Sequence, residues 1–234
     1  NRIVKFVIEG FVFIPRSISL SMDDYRQRFE RALESNDKDA CVTMAIKWLE
    51  EGNMSVKDFY QHVLLDVLHS PTCTLENEDW CVWKDHLRTS ILRTVVENCY
   101  PFVLSSKKLT VAGKKAMVVC PRGEQRELEA SMMEDMFKMA GFDTVFIGRD
   151  TPQEEIASAV NYFKPTHVLI VVTTCYNLIS AKNVVKQIRE RGRPELNVLV
   201  SGRAFVHNPD CWKDLGADGV VDNFDDIQSF VGGV

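Results

Sequence analysis

The sequence predicts an α/β protein, a doubly wound parallel sheet preceded by a four-helix bundle. Three observations predict it. From Lys114 onward, short apolar runs alternate with helix-period segments. The runs are apolar at nearly every position, Val168-Leu-Ile-Val-Val172 most plainly, as parallel strands covered on both faces are. Residues 22–104 instead carry helical periodicity with repeated start and stop signals. Right-handed crossovers between successive strands then give the flavodoxin-like strand order most economically.

In chain order, residues 1–21 are an N-terminal arm of unknown role, apolar from Ile3 to Ile14 but interrupted by Lys5 and Glu9 and ended by Pro15. Ser21 caps a first helix with Asp23 and Asp24 in its first turn, and apolar residues follow at helical spacing from Tyr25 to Leu33. A second helix runs from about Asp37 through Cys41, Met44, Ala45, Trp48 and Leu49 to a stop at Gly52. Ser55-Val-Lys-Asp58 opens a third, with Phe59, Val63, Leu64, Val67 and Leu68 as its apolar face. After a polar connection over Pro71 to Asp79, a long fourth helix is predicted from about Trp80 to Val103. Residues 22–104 thus form a helical cap, Ser105 to Gly113 a linker, and 114–234 a Rossmann-like domain. Its strands are predicted at Ala116–Cys120, Thr144–Ile147, His167–Thr173, Asn197–Ser201 and Gly219–Val221.

With 234 residues, 45% hydrophobic and 26% charged, the chain can bury a substantial core. The formal charge of -5, with no basic run, argues against direct nucleic-acid binding. Seven cysteines, an odd number with no CxxC pair, read as reduced thiols acting as small buried hydrophobes. No segment has the ~20 apolar residues that span a bilayer, and no cleavable-signal layout is visible, so the expectation is a cytoplasmic protein with no membrane contact. No nucleophile elbow, P-loop or dinucleotide fingerprint is present, and the histidines show no metal-ligand spacing, so neither a catalytic residue nor a metal site is assigned.

The functional reading centres on the loop Pro121-Arg-Gly-Glu-Gln-Arg126, which leads from the first strand into a helix ending at Gly141. A strand-to-helix turn of this kind lies at the mouth of a parallel sheet, where ligands are held. Arg122 and Arg126 there can bind an anion; the alternative for Arg126 is an ion pair with Glu124 or Glu127. Arg203, and Thr173, Thr174, Tyr176 and Asn177 at the third strand end, can reach the same mouth.

A four-helix bundle followed by Cys120-Pro-Arg-Gly-Glu-Gln-Arg-Glu-Leu-Glu129, Val171-Val-Thr173 and Val200-Ser-Gly-Arg-Ala-Phe205 resembles the cobalamin-binding modules of corrinoid proteins and cobalamin-based bacterial regulators. The resemblance covers roughly residues 22 to 231 and implies a cap helix whose acid-His pair, here Asp85-His86, lies over the corrin. The regulators' tryptophan has no counterpart, its place falling near Leu75; Trp80 and Trp83 stand closer to His86, and Trp83 is grouped with His86 as a candidate ligand contact. The family signature is an acid, any residue, His, two more, then Gly. Here it reads Glu124, Gln125, Arg126, Glu127, Leu128, Glu129. The family histidine gives cobalt a lone pair that a guanidinium lacks, so Arg126 predicts no cobalt ligation from below. Glu129 adds a side chain and a charge where the family glycine lets the nucleotide tail pass. Val171 replaces a slot-lining serine, and Ser201-Gly202 a Gly-Gly pair.

The candidate cofactor-binding residues are therefore His86, Trp83, Glu124, Arg126, Thr173, Ser201 and Gly202. The reading is a non-catalytic sensory or regulatory protein without base-off, His-on binding, holding a small molecule between its domains or acting through a protein partner or self-association. Cobalamin bound through ring contacts alone and heme ligated by His86 or a cysteine are the candidate cofactors. The alternatives are a corrinoid-carrying subunit of a methyltransferase system and a heme sensor using the same interdomain space.

Overall fold

The computed structural model describes residues 20–70, 81–190, 195–206 and 209–231. The arm over 1–19, the connection with Leu75 and Trp80, and His207 lie outside the described residues.

Helix α1 (Met22–Glu34) starts on a reciprocal cap: the Asp24 amide donates to Ser21 Oγ at 3.2 Å and the Ser21 amide donates to Asp24 Oδ2 at 2.9 Å. Asp37 caps α2 (Lys38–Glu50) through the Ala40 amide, and Ser55 caps the third helix through the Asp58 amide. That third helix, α3, is one run made of Val56–Phe59, a π-helical segment Tyr60–Leu64, and Leu65–His69. The wider turn brings Tyr60 inward beside Phe59, Val63 and Leu64, all fully buried. Helix α4 (Cys81–Ser106) is the longest and continues through Pro101, burying Ile91, Leu92, Val95, Val96, Cys99 and Val103.

The sheet contains β1 (Lys115–Pro121), β2 (Asp143–Thr151), β3 (His167–Val171), β4 (Asn197–Ser201) and β5 (Gly219–Val220), all parallel, in the order β2-β1-β3-β4-β5. This is the flavodoxin-like order the sequence predicts, with the chain reversing direction between β1 and β3. Between the strands run α5 (Leu128–Ala140), α6 (Gln153–Phe163), α7 (Leu178–Glu190) and α8 (Cys211–Leu215), followed by α9 (Phe224–Val231).

The period-2 alternation of the strands sorts the interior into two cores. Met117, Val119, Val168, Ile170, Val198 and Val200 pack with α6, α7 and α8. Ala116, Val118, Cys120, Leu169, Val171 and Leu199 pack with α5 and α9, and this second core continues without a break into the bundle. Helix α5 is the shared wall. It buries Leu128, Ala130, Met132, Met133, Met136, Phe137, Met139 and Ala140 on most of its circumference, as a helix packed on two faces must, and leaves Ser131, Glu134 and Lys138 as a half-buried polar stripe. Gly141 ends it in the left-handed region at φ +100°. Among the described residues, no helix is long and apolar enough to cross a membrane.

Candidate functional site

The loop after β1 is organised by Glu124, which is 1% exposed. Its Oε2 accepts from the Thr173 amide at 2.8 Å and from Asn177 Nδ2 at 3.0 Å; its Oε1 accepts from Thr173 Oγ1 at 2.7 Å and from the Arg126 amide at 3.1 Å. All four partners donate, so one carboxyl group fastens the β1 loop to the end of β3 across the point where the sheet reverses. Gly123 before it has φ +90°, and a Cβ there would meet Asn177 Oδ1 at 2.8 Å. Its amide donates to Asp150 Oδ1 at 2.8 Å and thereby holds the Asp150 carboxyl below the usual range.

Beyond Glu124 the loop turns to the bundle. Arg126 Nη2 donates to Asp85 Oδ2 on α4 at 3.0 Å, so its ion-pair partner is neither Glu124 nor Glu127. Glu127 takes Arg93 of α4 at 3.1 Å and the Arg149 amide at 3.2 Å. Glu129, 7% exposed, pairs with Nε2 of His69 at the end of α3 at 3.0 Å. One turn and a half further along α5, Tyr60 of the π-helical segment donates to the buried Asp135 Oδ2 at 3.1 Å. Burial, with Glu134 beside it, pushes the Asp135 carboxyl up to about 7, against the opposing pull of Tyr60 and Lys138. Near the end of α5, Lys138 donates to the Tyr100 hydroxyl at 3.0 Å.

These five polar contacts all cross from bundle to sheet domain, and a cleft of about 710 Å3 remains open among the outer ones. One face of α4 lines it with Val82, Asp85, His86, Thr89, Ser90 and Arg93, recurring at one-turn spacing. Gln125, Arg126, Glu127 and Arg149 form the facing wall.

Of the sequence-predicted residues, His86 and Arg126 meet in this cleft. Trp83 is half exposed, with the Lys84 ammonium 5.8 Å from its ring centroid, and stands off the cleft wall. Glu124 and Thr173 are bonded to each other behind the loop. Ser201 is buried at the end of β4, and Gly202, at φ +108°, lies so close to the chain just after β3 that a Cβ would clash with the Val172 carbonyl oxygen. Neither lines the cleft. His69, Arg93, Asp135 and Tyr60 carry the interface without having been singled out as site residues. The legible signal for Asp135 was an acid set between the apolar pairs Met132-Met133 and Met136-Phe137.

The fold and site thus define a class: a doubly wound domain capped by a helical bundle, with a cleft between them beside the switch point. Residues 114–228 match the family model described as B12 binding domain. Across the whole chain the fold is that of the Methanosarcina barkeri monomethylamine corrinoid protein, with a TM-score of 0.75 at 14% identity, covering 90% of this chain and 98% of that one. A novel cobalamin-binding protein from Desulfitobacterium hafniense DCB-2 matches with a TM-score of 0.47 at 18% identity, over 87% of this chain and 95% of that one. The Methanosarcina barkeri methanol:cobalamin methyltransferase complex MtaBC matches with a TM-score of 0.48 at 15% identity, over 95% and 84%. No curated protein sequence matches the chain.

The residues present do not fit a corrin held with its nucleotide tail inserted in the sheet domain. Arg126 has no lone pair to offer and is engaged by Asp85. The space among His69, Leu128, Glu129, Thr173 and Arg203 is about 30 Å3, room for roughly one water. Val171 behind it is fully buried among its neighbours. Among the described residues, no three His, Cys, Asp or Glu converge on a metal position.

Proposed function

We propose that this chain is a non-catalytic regulatory protein built on a cobalamin-binding domain, in which protein contacts between bundle and sheet domain take the place of the cofactor's lower ligand and tail. The observation that carries the reading is the pair of substitutions that reach across the interface: Arg126 bound to Asp85, and Glu129 bound to His69. Each occupies a signature position with a side chain already committed to the opposite domain. A chain whose task was to carry corrin would need both positions free.

The test is an ultraviolet-visible spectrum of the protein after incubation with hydroxocobalamin, adenosylcobalamin or hemin and desalting. The reading expects no retained corrin or Soret band. A retained corrin band supports the second reading, a corrinoid-carrying subunit, which the shared fold with the monomethylamine corrinoid protein favours. A Soret band that His86→Ala abolishes supports heme instead.

A further inference from the structure

The cleft between α4 and the β1 loop is left with a chemistry of its own once corrin is set aside, and this inference rests on the reading above. Its α4 wall sets the hydroxyls of Thr89 and Ser90, the His86 imidazole, the Asp85 carboxylate and the Arg93 guanidinium among Val82 and the carbon stems of the longer side chains. It holds three guanidiniums, Arg93, Arg126 and Arg149, against two carboxylates, Asp85 and Glu127, a positive site in a chain of net charge -5. The two ion pairs leave most donors of these arginines unused. Arg126 spends only Nη2 on Asp85 and its side chain stays 57% exposed, while the exposed Arg149 guanidinium is in no ion pair among the described residues. The positive groups are also spread out. Arg126 meets α4 at Asp85, and Arg93 stands eight residues further on, about 12 Å along the axis at the helical rise.

We infer that this cleft binds an elongated small molecule carrying an anionic oxygen group, phosphate or carboxylate, at each end. One end engages Arg126 and the other Arg93 and Arg149, each by the forked geometry guanidinium offers to oxyanions. Such a ligand bridges bundle and sheet domain through Arg126 and Arg93, the two arginines that now hold them together, so its binding is read by both.

The experiment is calorimetric titration of the full chain, at constant ionic strength, with fructose 1,6-bisphosphate and adipate as the phosphate and carboxylate probes and fructose 6-phosphate as the single-ended control. At least one two-ended probe is expected to saturate, and to bind about tenfold or more tightly than the single-ended one. Arg149→Gln and Arg93→Gln each weaken it by about tenfold, while Lys186→Gln, on the exposed face of α7, leaves it unchanged. Failure of both two-ended probes to saturate, equal affinity for one-ended and two-ended probes, or indifference to Arg149→Gln overturns the inference. Running the cobalamin desalting test on the same preparation separates the two ideas. A retained corrin band defeats the regulatory reading beneath it, whereas a colourless protein blind to all three probes defeats the anion site alone.

Discussion

Replacing Glu124 by glutamine keeps the shape of the side chain and changes only which of its two terminal atoms can accept. With the new amide nitrogen at the Oε2 position, Asn177 can turn its own amide to accept, but the Thr173 amide cannot. With the nitrogen at Oε1, the Thr173 hydroxyl can rotate, but the Arg126 amide cannot. In either orientation one buried backbone N–H is left facing another donor, a cost of about 1–3 kcal/mol, and the surviving bonds lose their charge assistance. The sum is about 3 kcal/mol, which for a chain of this size lowers the melting temperature by roughly 6–12 °C. Circular dichroism melts and urea midpoints of Glu124→Gln against parent measure it. Thr173→Val should be coupled to it, the double variant being less destabilised than the two singles added. A Glu124→Gln protein melting within ~1 °C of parent would show that the four-donor arrangement does not hold the loop, and the reasoning would fail with it.

Asp135→Asn keeps an acceptor for Tyr60 and removes a titration. With a folded pKa of about 7 against an unfolded 3.8, the carboxyl favours folding below pH 4 and loses that contribution as pH rises through 7. The variant should therefore gain on parent by up to roughly 2–4 kcal/mol between pH 4 and 8, and a flat difference in urea midpoints would contradict it. His167 titrates with the opposite slope: burial, with Lys114 nearby, holds it down to about 4, so stability is lost as pH falls from 6.5 through 4, and His167→Gln should abolish that loss. Gly202→Ala drives a Cβ into the Val172 backbone at a positive φ and should cost about 3 kcal/mol or more by urea denaturation; near-parent stability would mean that β4 can draw back. Arg126→His, Glu129→Gly and Val171→Ser combined should let the protein keep hydroxocobalamin through desalting where the parent does not, and no gain in retention would mean that other residues bar the cofactor.

The sheet was legible because β1, β3 and β4 are apolar for most of their length and Gly141 marks a clear helix stop between β1 and β2. The bundle helices were legible from their caps, since Ser21, Asp37 and Ser55 each act on an amide only three residues away. The π-helical segment was not, because one wide turn leaves the apolar pattern of α3 almost unchanged while swinging Tyr60 inward. Nor was the partner of Arg126. The nearest acids in sequence, Glu124 and Glu127, are committed to Thr173, Asn177 and Arg93, so the guanidinium takes Asp85, 41 residues away on another domain. Contacts between distant segments follow from how the bundle seats on α5, and no local spacing encodes that.

The shared wall also limits how this protein can be handled. Helix α5 places three methionines, Met132, Met136 and Met139, on the same side as Asp135, which Tyr60 of the bundle contacts, in a core that the bundle completes. Soft, adaptable thioethers uncovered together are adhesive toward almost any apolar surface. A fragment cut at the linker before β1 would carry that surface bare into solution and should be recovered as aggregates, so the sheet domain of this chain is best produced with its bundle attached.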